Sequence, residues 1–151
     1  MTLSYQTIFS RYRGKIQALE YLSLSADDIN EIEVERLHSV VGNPRIRYKF
    51  SSLTMNDTVQ ILTFELKNPI DDFSDEEFVV DLLSLGMTIE WLQPKVDSVV
   101  NTAPMIGGKE EKKLLDNHRQ SINRLAQMKT ELKKLIRDYG YMNNSYIRTE
   151  R

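Results

Sequence analysis

One stretch narrows the possible folds more than any other: SDEEFVVDLLSLGMTIEWLQP, residues 74–94. Ser74 followed three residues later by Glu77 reads as a capping box, in which the Ser side chain and the acid satisfy free N–H groups at a helix start. Behind it Phe78, Leu82, Leu85, Ile89 and Leu92 recur at three- and four-residue steps, the period of a helix. Val79, Val80, Leu83, Met87 and Trp91 fill most of the remaining faces. A helix apolar on nearly every side has to be covered by other elements, so it is expected to be the spine of the fold. Pro94 is expected to kink or restart it, with Lys95–Val100 as a short continuation and NTAPMIGG as a loop.

The flanking segments supply covering helices. In SYQTIFSRYRGKIQALEYL, Ser4 is placed to cap, and Ile8, Tyr12, Ile16 and Leu19 keep helical spacing. Gly14 interrupts that pattern at a cost of about 1 kcal/mol relative to Ala. Ser25 opens ADDINEIEVERLHSVV, with Asp27, Asp28 and Glu31 at the positive end of the helix dipole. Gly42-Asn43-Pro44 closes it, with Gly42 expected in a left-handed cap. RIRYKF then leaves room for one helical turn. From Lys109 to Tyr139 a heptad-like seam runs through Leu114, His118, Ser121, Leu125, Met128, Leu132, Leu135 and Tyr139. About 30 residues at 1.5 Å each predict a rod of roughly 45 Å.

Residues 50–66 have a different character. SSLTMNDTVQILTFELKNP is rich in Thr, Val, Ile and Phe, with Asn56-Asp57 at a turn, and reads as a small β-hairpin. The expected fold class is therefore mainly α: a helical bundle with a long C-terminal helix, one small hairpin (about 50–66) and an extended C-terminal tail. Residues 1–139 form one domain, and 140–151 a docking tail. The length, 151 residues, suits a single domain with its own core.

Signals for catalysis are thin. The chain has no cysteine, which excludes disulfides, thiolate metal sites and thiol nucleophiles. His38 and His118 show no metal-ligand spacing and read as surface or half-buried imidazoles. Asp71, Asp72, Asp75, Glu76 and Glu77 flank a helix start, where acids favour the dipole, and so are read as capping residues ahead of metal ligands. Gly107-Gly108-Lys109 lacks the spacing of a phosphate loop and reads as a joint. No catalytic residue, metal or cofactor is assigned. The N-terminus is too polar for a signal core, and no run approaches the ~20 apolar residues that span a bilayer.

Cations alternate with aromatics at Arg11-Tyr12-Arg13 and at Arg45-Ile46-Arg47-Tyr48. With a net charge of −2 the chain as a whole does not read as a nucleic-acid binder. Arg11, Arg13, Arg45 and Arg47, with Met55, Asn56 and Asp57 at the hairpin turn, are taken as candidates for a subunit interface or for a surface facing DNA. The tail IRDYGYMNNSYIRTER carries Tyr141, Tyr146 and Ile147 among asparagines and arginines. These suit docking into a partner's groove, with Arg148 and Arg151 at its rim. The alternative is that Tyr139 and Tyr141 close the last helix on the domain's own core.

The segments LSYQTIFSRYRGKI, LHSVVGNPRIRYKFSSL, FVVDLLSLGMTIEWLQPKV, NTAPMIGGKEEK and IRDYGYMNNSY, in that order, resemble the neck, or head-to-tail connector (adaptor), proteins of tailed bacteriophages of Gram-positive hosts. The resemblance spans nearly the whole chain and rests on no catalytic motif. It implies a mainly helical, non-enzymatic subunit of a ring, usually twelvefold, that sits beneath the portal and extends the DNA channel toward the tail. It further implies that Tyr139, Tyr141, Met142, Asn143, Asn144, Tyr146, Ile147 and Arg148 belong to a portal-docking segment. The implied partners are further copies of the chain, the portal protein, the next neck or tail protein and passing DNA, with no membrane. The implied location is the virion neck, after assembly in the host cytoplasm. A neck stopper or tail-completion protein is the alternative, and a small helical DNA-binding or packaging regulator is the second.

Overall fold

The computed structural model describes residues 1–141. The chain is mainly helical, with a small three-stranded antiparallel sheet. In order it forms β1 (Thr2–Ser4), α1 (Tyr5–Arg13), α2 (Ala26–Val41), α3 (Pro44–Arg47), β2 (Phe50–Asn56), β3 (Ile61–Leu66), α4 (Asp72–Ile106), α5 (Gly108–Asn117) and α6 (Arg119–Asp138). A short 3-10 turn, Leu19–Ser23, lies between α1 and α2. Among the described residues no helix is long and apolar enough to cross a membrane.

α4 runs through the centre. From Phe78 to Thr88 every residue except Asp81 is buried. The two hydroxyls in that span are satisfied inside the helix: Thr88 donates to the Ser84 carbonyl at 2.8 Å, and Ser84 to that of Asp81 at 3.2 Å. Each apolar side chain so buried contributes about 1.5–3 kcal/mol. α1 covers α4 with Tyr5, Ile8, Phe9 and Tyr12, and α2 with Leu37, Val40 and Val41. α6 covers it with Leu125 and Met128.

The start of α4 lies three residues ahead of the sequence expectation. Asp71 is the cap, accepting from the Ser74 N–H at 2.7 Å and the Ser74 hydroxyl at 3.0 Å. Ser74 belongs to the first turn, because an ionised carboxylate at the cap is the stronger acceptor. The end also differs. α4 passes through both Pro94 and Pro104 to Ile106, so NTAPMIGG is largely helix rather than loop. Both prolines are exposed, so solvent is available to the carbonyls they leave without an N–H partner. Gly107 and Gly108, at φ +70° and +63°, then turn the chain into α5. That backbone is open to glycine and strained for other residues.

The expected single rod from Lys109 to Tyr139 is two helices, broken at His118 (φ −109°, ψ 10°). Asn117, His118 and Arg119 are all exposed, and nothing apolar holds the seam there. The seam is buried or half-buried from Ser121 onward, through Leu125, Met128, Leu132 and Leu135 to Tyr139. Two smaller expectations are also revised. α1 ends at Arg13, leaving Ile16 half-buried and Leu19 exposed. Gly42 keeps helical angles (φ −69°), so α2 stops because Asn43 caps α3 and Pro44 starts it.

The sheet order is β1-β3-β2. β3 sends Leu62, Phe64 and Leu66 into the core and leaves Ile61, Thr63 and Glu65 outside, the alternation of a one-sided strand. β2 pairs with β3 from Asn56↔Ile61 to Phe50↔Leu66, with an irregularity between Phe50 and Ser52. β1, three residues long, pairs through Leu3↔Leu62 and was not anticipated.

Gly86 sets the spacing between α2 and α4. A Cβ there would stand 2.6 Å from Val40 Cγ1, well inside van der Waals contact. Gly86→Leu is expected to lower stability by about 1–3 kcal/mol through overpacking, although leucine is the better helix former. A urea titration showing equal or higher stability would contradict this close approach.

Candidate functional site

The residues singled out from sequence fall into three groups. The first is consumed by the fold. Arg11 donates from one guanidinium nitrogen to Glu77 and to Asp81, each at 2.9 Å, tying α1 to α4. Arg13 donates from Nε to Glu33 at 2.8 Å and forms a second bond to the same carboxylate through its terminal nitrogen. Glu33 is fully buried in α2 while Arg13 reaches it from solvent, so the pair lies between a buried and a surface bridge and Arg13 is what neutralises the buried carboxylate. These two arginines are structural ties, which an RYR motif does not reveal when its acids lie 20 to 70 positions away.

The hairpin turn is the second group. The Asn56 carboxamide oxygen accepts from the Thr58 N–H at 3.1 Å. Met55 is half-buried against the core. Asp57 accepts from the Tyr5 hydroxyl at 2.7 Å and meets His38 Nε2 at 2.8–2.9 Å through both oxygens. The turn is thus pinned to the junction of β1 and α1 and to the end of α2. Gln60 strengthens the pin, taking up φ 54° and accepting from the Tyr5 N–H at 2.9 Å. The Tyr5 hydroxyl and the His38 imidazole hold the Asp57 carboxyl below the usual range. Burial, together with Asp57, pushes the Tyr5 phenol upward.

The third group is the end of the last helix. The Tyr139 ring stacks on Phe78, with centroids 3.9 Å apart and planes within 8°. Its hydroxyl donates to buried Asp75 at 2.6 Å, and its carbonyl accepts from Lys49 Nζ at 2.9 Å. Asp75 also accepts from the Ile70 N–H at 3.0 Å. Burial lowers the Lys49 pKa and raises that of Tyr139. Gly140 follows at φ +73°, and a Cβ there would run into the Asn68 backbone carbonyl. Tyr139, placed with the docking tail from sequence, is therefore built into the domain. Tyr141 is exposed. Met142, Asn143, Asn144, Tyr146, Ile147 and Arg148 lie outside the described residues.

Arg45 and Arg47 remain exposed, and among the described residues neither has an ion-pair partner. Asn43 and Pro44 start the one-turn α3, which buries Ile46 and turns both arginines outward. Pro44, Arg45 and Tyr48 form one wall of a mainly apolar groove, and Lys133, Ile136 and Arg137 of α6 form the other. Lys67 Nζ sits 3.9 Å above the Tyr48 ring. This groove was not anticipated, because its walls are some 90 residues apart in sequence.

Large apolar side chains also stand in solvent elsewhere. Leu19 and Leu22 are 77% and 85% exposed, just ahead of the acidic start of α2. Phe73 (76%) and Met105 (85%) mark the two ends of α4. α5, by contrast, keeps Leu114 and Leu115 half-buried and turns mainly charged residues to solvent. Among the described residues no group of His, Asp or Glu is placed to hold a metal ion. No known family profile, curated protein or solved structure matches the chain.

The Asp57 latch has a predicted pH dependence. Because its folded pKa is depressed, its contribution is complete above the unfolded value of about 4 and is lost as pH falls through the folded value. At neutral pH, Asp57→Asn is expected to cost roughly 0.5–1.5 kcal/mol, kept small by exposure of the pair. Denaturant midpoints for the two proteins should converge below about pH 4. A gap that stays constant into acid would exclude the latch.

Proposed function

We propose that this chain is a structural subunit of a multi-chain assembly and, on the resemblance described above, of the neck ring that joins a tailed-phage head to its tail. In that role each copy packs beside others in a ring, twelvefold as the resemblance implies; the ring binds the portal and continues the DNA channel. The observation that carries the reading is apolar surface left in solvent at several separate places. Phe73 and Met105 lie at opposite ends of a helix of 35 residues, roughly 52 Å long. Leu19 and Leu22 form another such place. A subunit with neighbours above, below and beside it needs separated apolar contacts of this kind. The pairing of Arg11 and Arg13 with acids weighs against the DNA-binding regulator.

The division of the C-terminus supports a docking tail beginning after Gly140. Tyr139 and Gly140 anchor the end of α6, and Tyr141 leaves that anchor exposed. The test is binding of the purified chain to the portal protein of the same phage, followed by the mass of the complex. The full chain is expected to bind in multiple copies, and a chain lacking residues 142–151 to stay folded and lose binding. Equal binding by both would remove the tail from the contact. Binding by neither would remove the portal-adjacent role and favour the stopper.

A further inference from the structure

We infer that copies of this chain associate head to tail, with the acidic, leucine-tipped start of α2 from one copy entering the cationic apolar groove of the next. The inference rests on the assembly reading above and gives it a specific interface. The groove is lined by the apolar Pro44, Tyr48 and Ile136 and by the cations Arg45, Lys133 and Arg137. Among the described residues Arg137 pairs only with its neighbour Asp138, both of them well exposed, and Arg45 and Lys133 have no ion-pair partner. The occupant that fits is apolar at its tip and negative around it.

This chain carries such a feature. Leu19 and Leu22 project from the 3-10 turn, and Asp27, Glu31 and Glu35 follow at four-residue steps along one face of α2, with Asp28 beside them. All four acids are exposed, and none has an ion-pair partner among the described residues. The two features cannot meet within one copy. α2 runs from the acidic turn to α3, where the groove begins, and its 16 residues span roughly 24 Å. Complementary patches at opposite ends of one helix give a heterologous contact, which closes as a ring or grows as a filament.

The chain's own segment 142–151 is the poorer occupant. It brings Arg148 and Arg151 against a single acid, Glu150, toward a groove that is already positive. A nucleic acid would satisfy the cations but leave Pro44 and Ile136 without an apolar partner.

The absence of cysteine allows a direct test. Leu22→Cys and Tyr48→Cys are made in separate full-length chains, both at exposed positions, then mixed and oxidised. The mixed disulfide is expected to form about tenfold faster than either like pair, because like-charged patches repel. Lys133→Glu in the Tyr48→Cys chain should abolish that preference, and Glu31→Lys in the Leu22→Cys chain should restore it. Like pairs forming as fast as the mixed pair would overturn the proposal, as would a mixed pair indifferent to Lys133→Glu. So would a Tyr48→Cys thiol that reacts only after residues 142–151 are removed, since the groove would then hold the chain's own tail. Protection of that thiol by short duplex DNA, without mixed pairing, would assign the groove to nucleic acid. Loss of mixed pairing with portal binding intact removes this interface alone; loss of both removes the portal-adjacent role as well.

Discussion

The structure depends on covering one helix. Between Phe78 and Thr88 the side chains of α4 leave it no solvated face, and the only residue not buried, Asp81, is held by Arg11. That requirement sets where everything else goes. α1 lies on α4 and is fastened there by an arginine reaching two carboxylates. α2 approaches closely enough that residue 86 has to be glycine. α6 supplies a second cover, and its end is fixed where Tyr139 lies flat on Phe78. The sheet fills the remaining side with Leu62, Phe64 and Leu66.

The parts legible in the sequence are those governed by local rules. Ser25 caps α2 as its spacing predicts, and alternation along β3 separates core from surface. The burial of α4 follows from its composition alone. The parts that were not legible depend on distant partners. β1 has three residues, too few for any periodicity, and exists because Leu62 and its neighbours offer an edge. Pro94 and Pro104 look like breaks but are tolerated on the exposed side of a helix held by its other face. His118 ends a helix without glycine or proline, because a polar residue occupies the seam position. Asp75 reads as a capping acid, yet it is buried, and its hydroxyl partner stands 64 positions away.

The same division applies to the candidate surfaces. Sequence spacing identified cations, but only geometry separates those that tie helices together from those left facing solvent. Arg11 and Arg13 belong to the first kind, Arg45 and Arg47 to the second. Met55, Asn56 and Asp57 form a turn clamped by Tyr5 and His38, so the hairpin is held against the domain at its tip. What remains available is the exposed apolar surface at the ends of α4, at the start of α2 and in the groove beside α3. These are the places where an assembly would make its contacts.

The proposal, resting on the resemblance to phage neck proteins, is that the chain acts as one of many copies in a particle. The most direct measurement is the copy number of this chain in purified phage particles, determined by mass spectrometry against isotope-labelled peptides. The account predicts a fixed, ring-scale number of about twelve, retained with the head when tails are detached. Particles that are complete and infectious without the chain would contradict it.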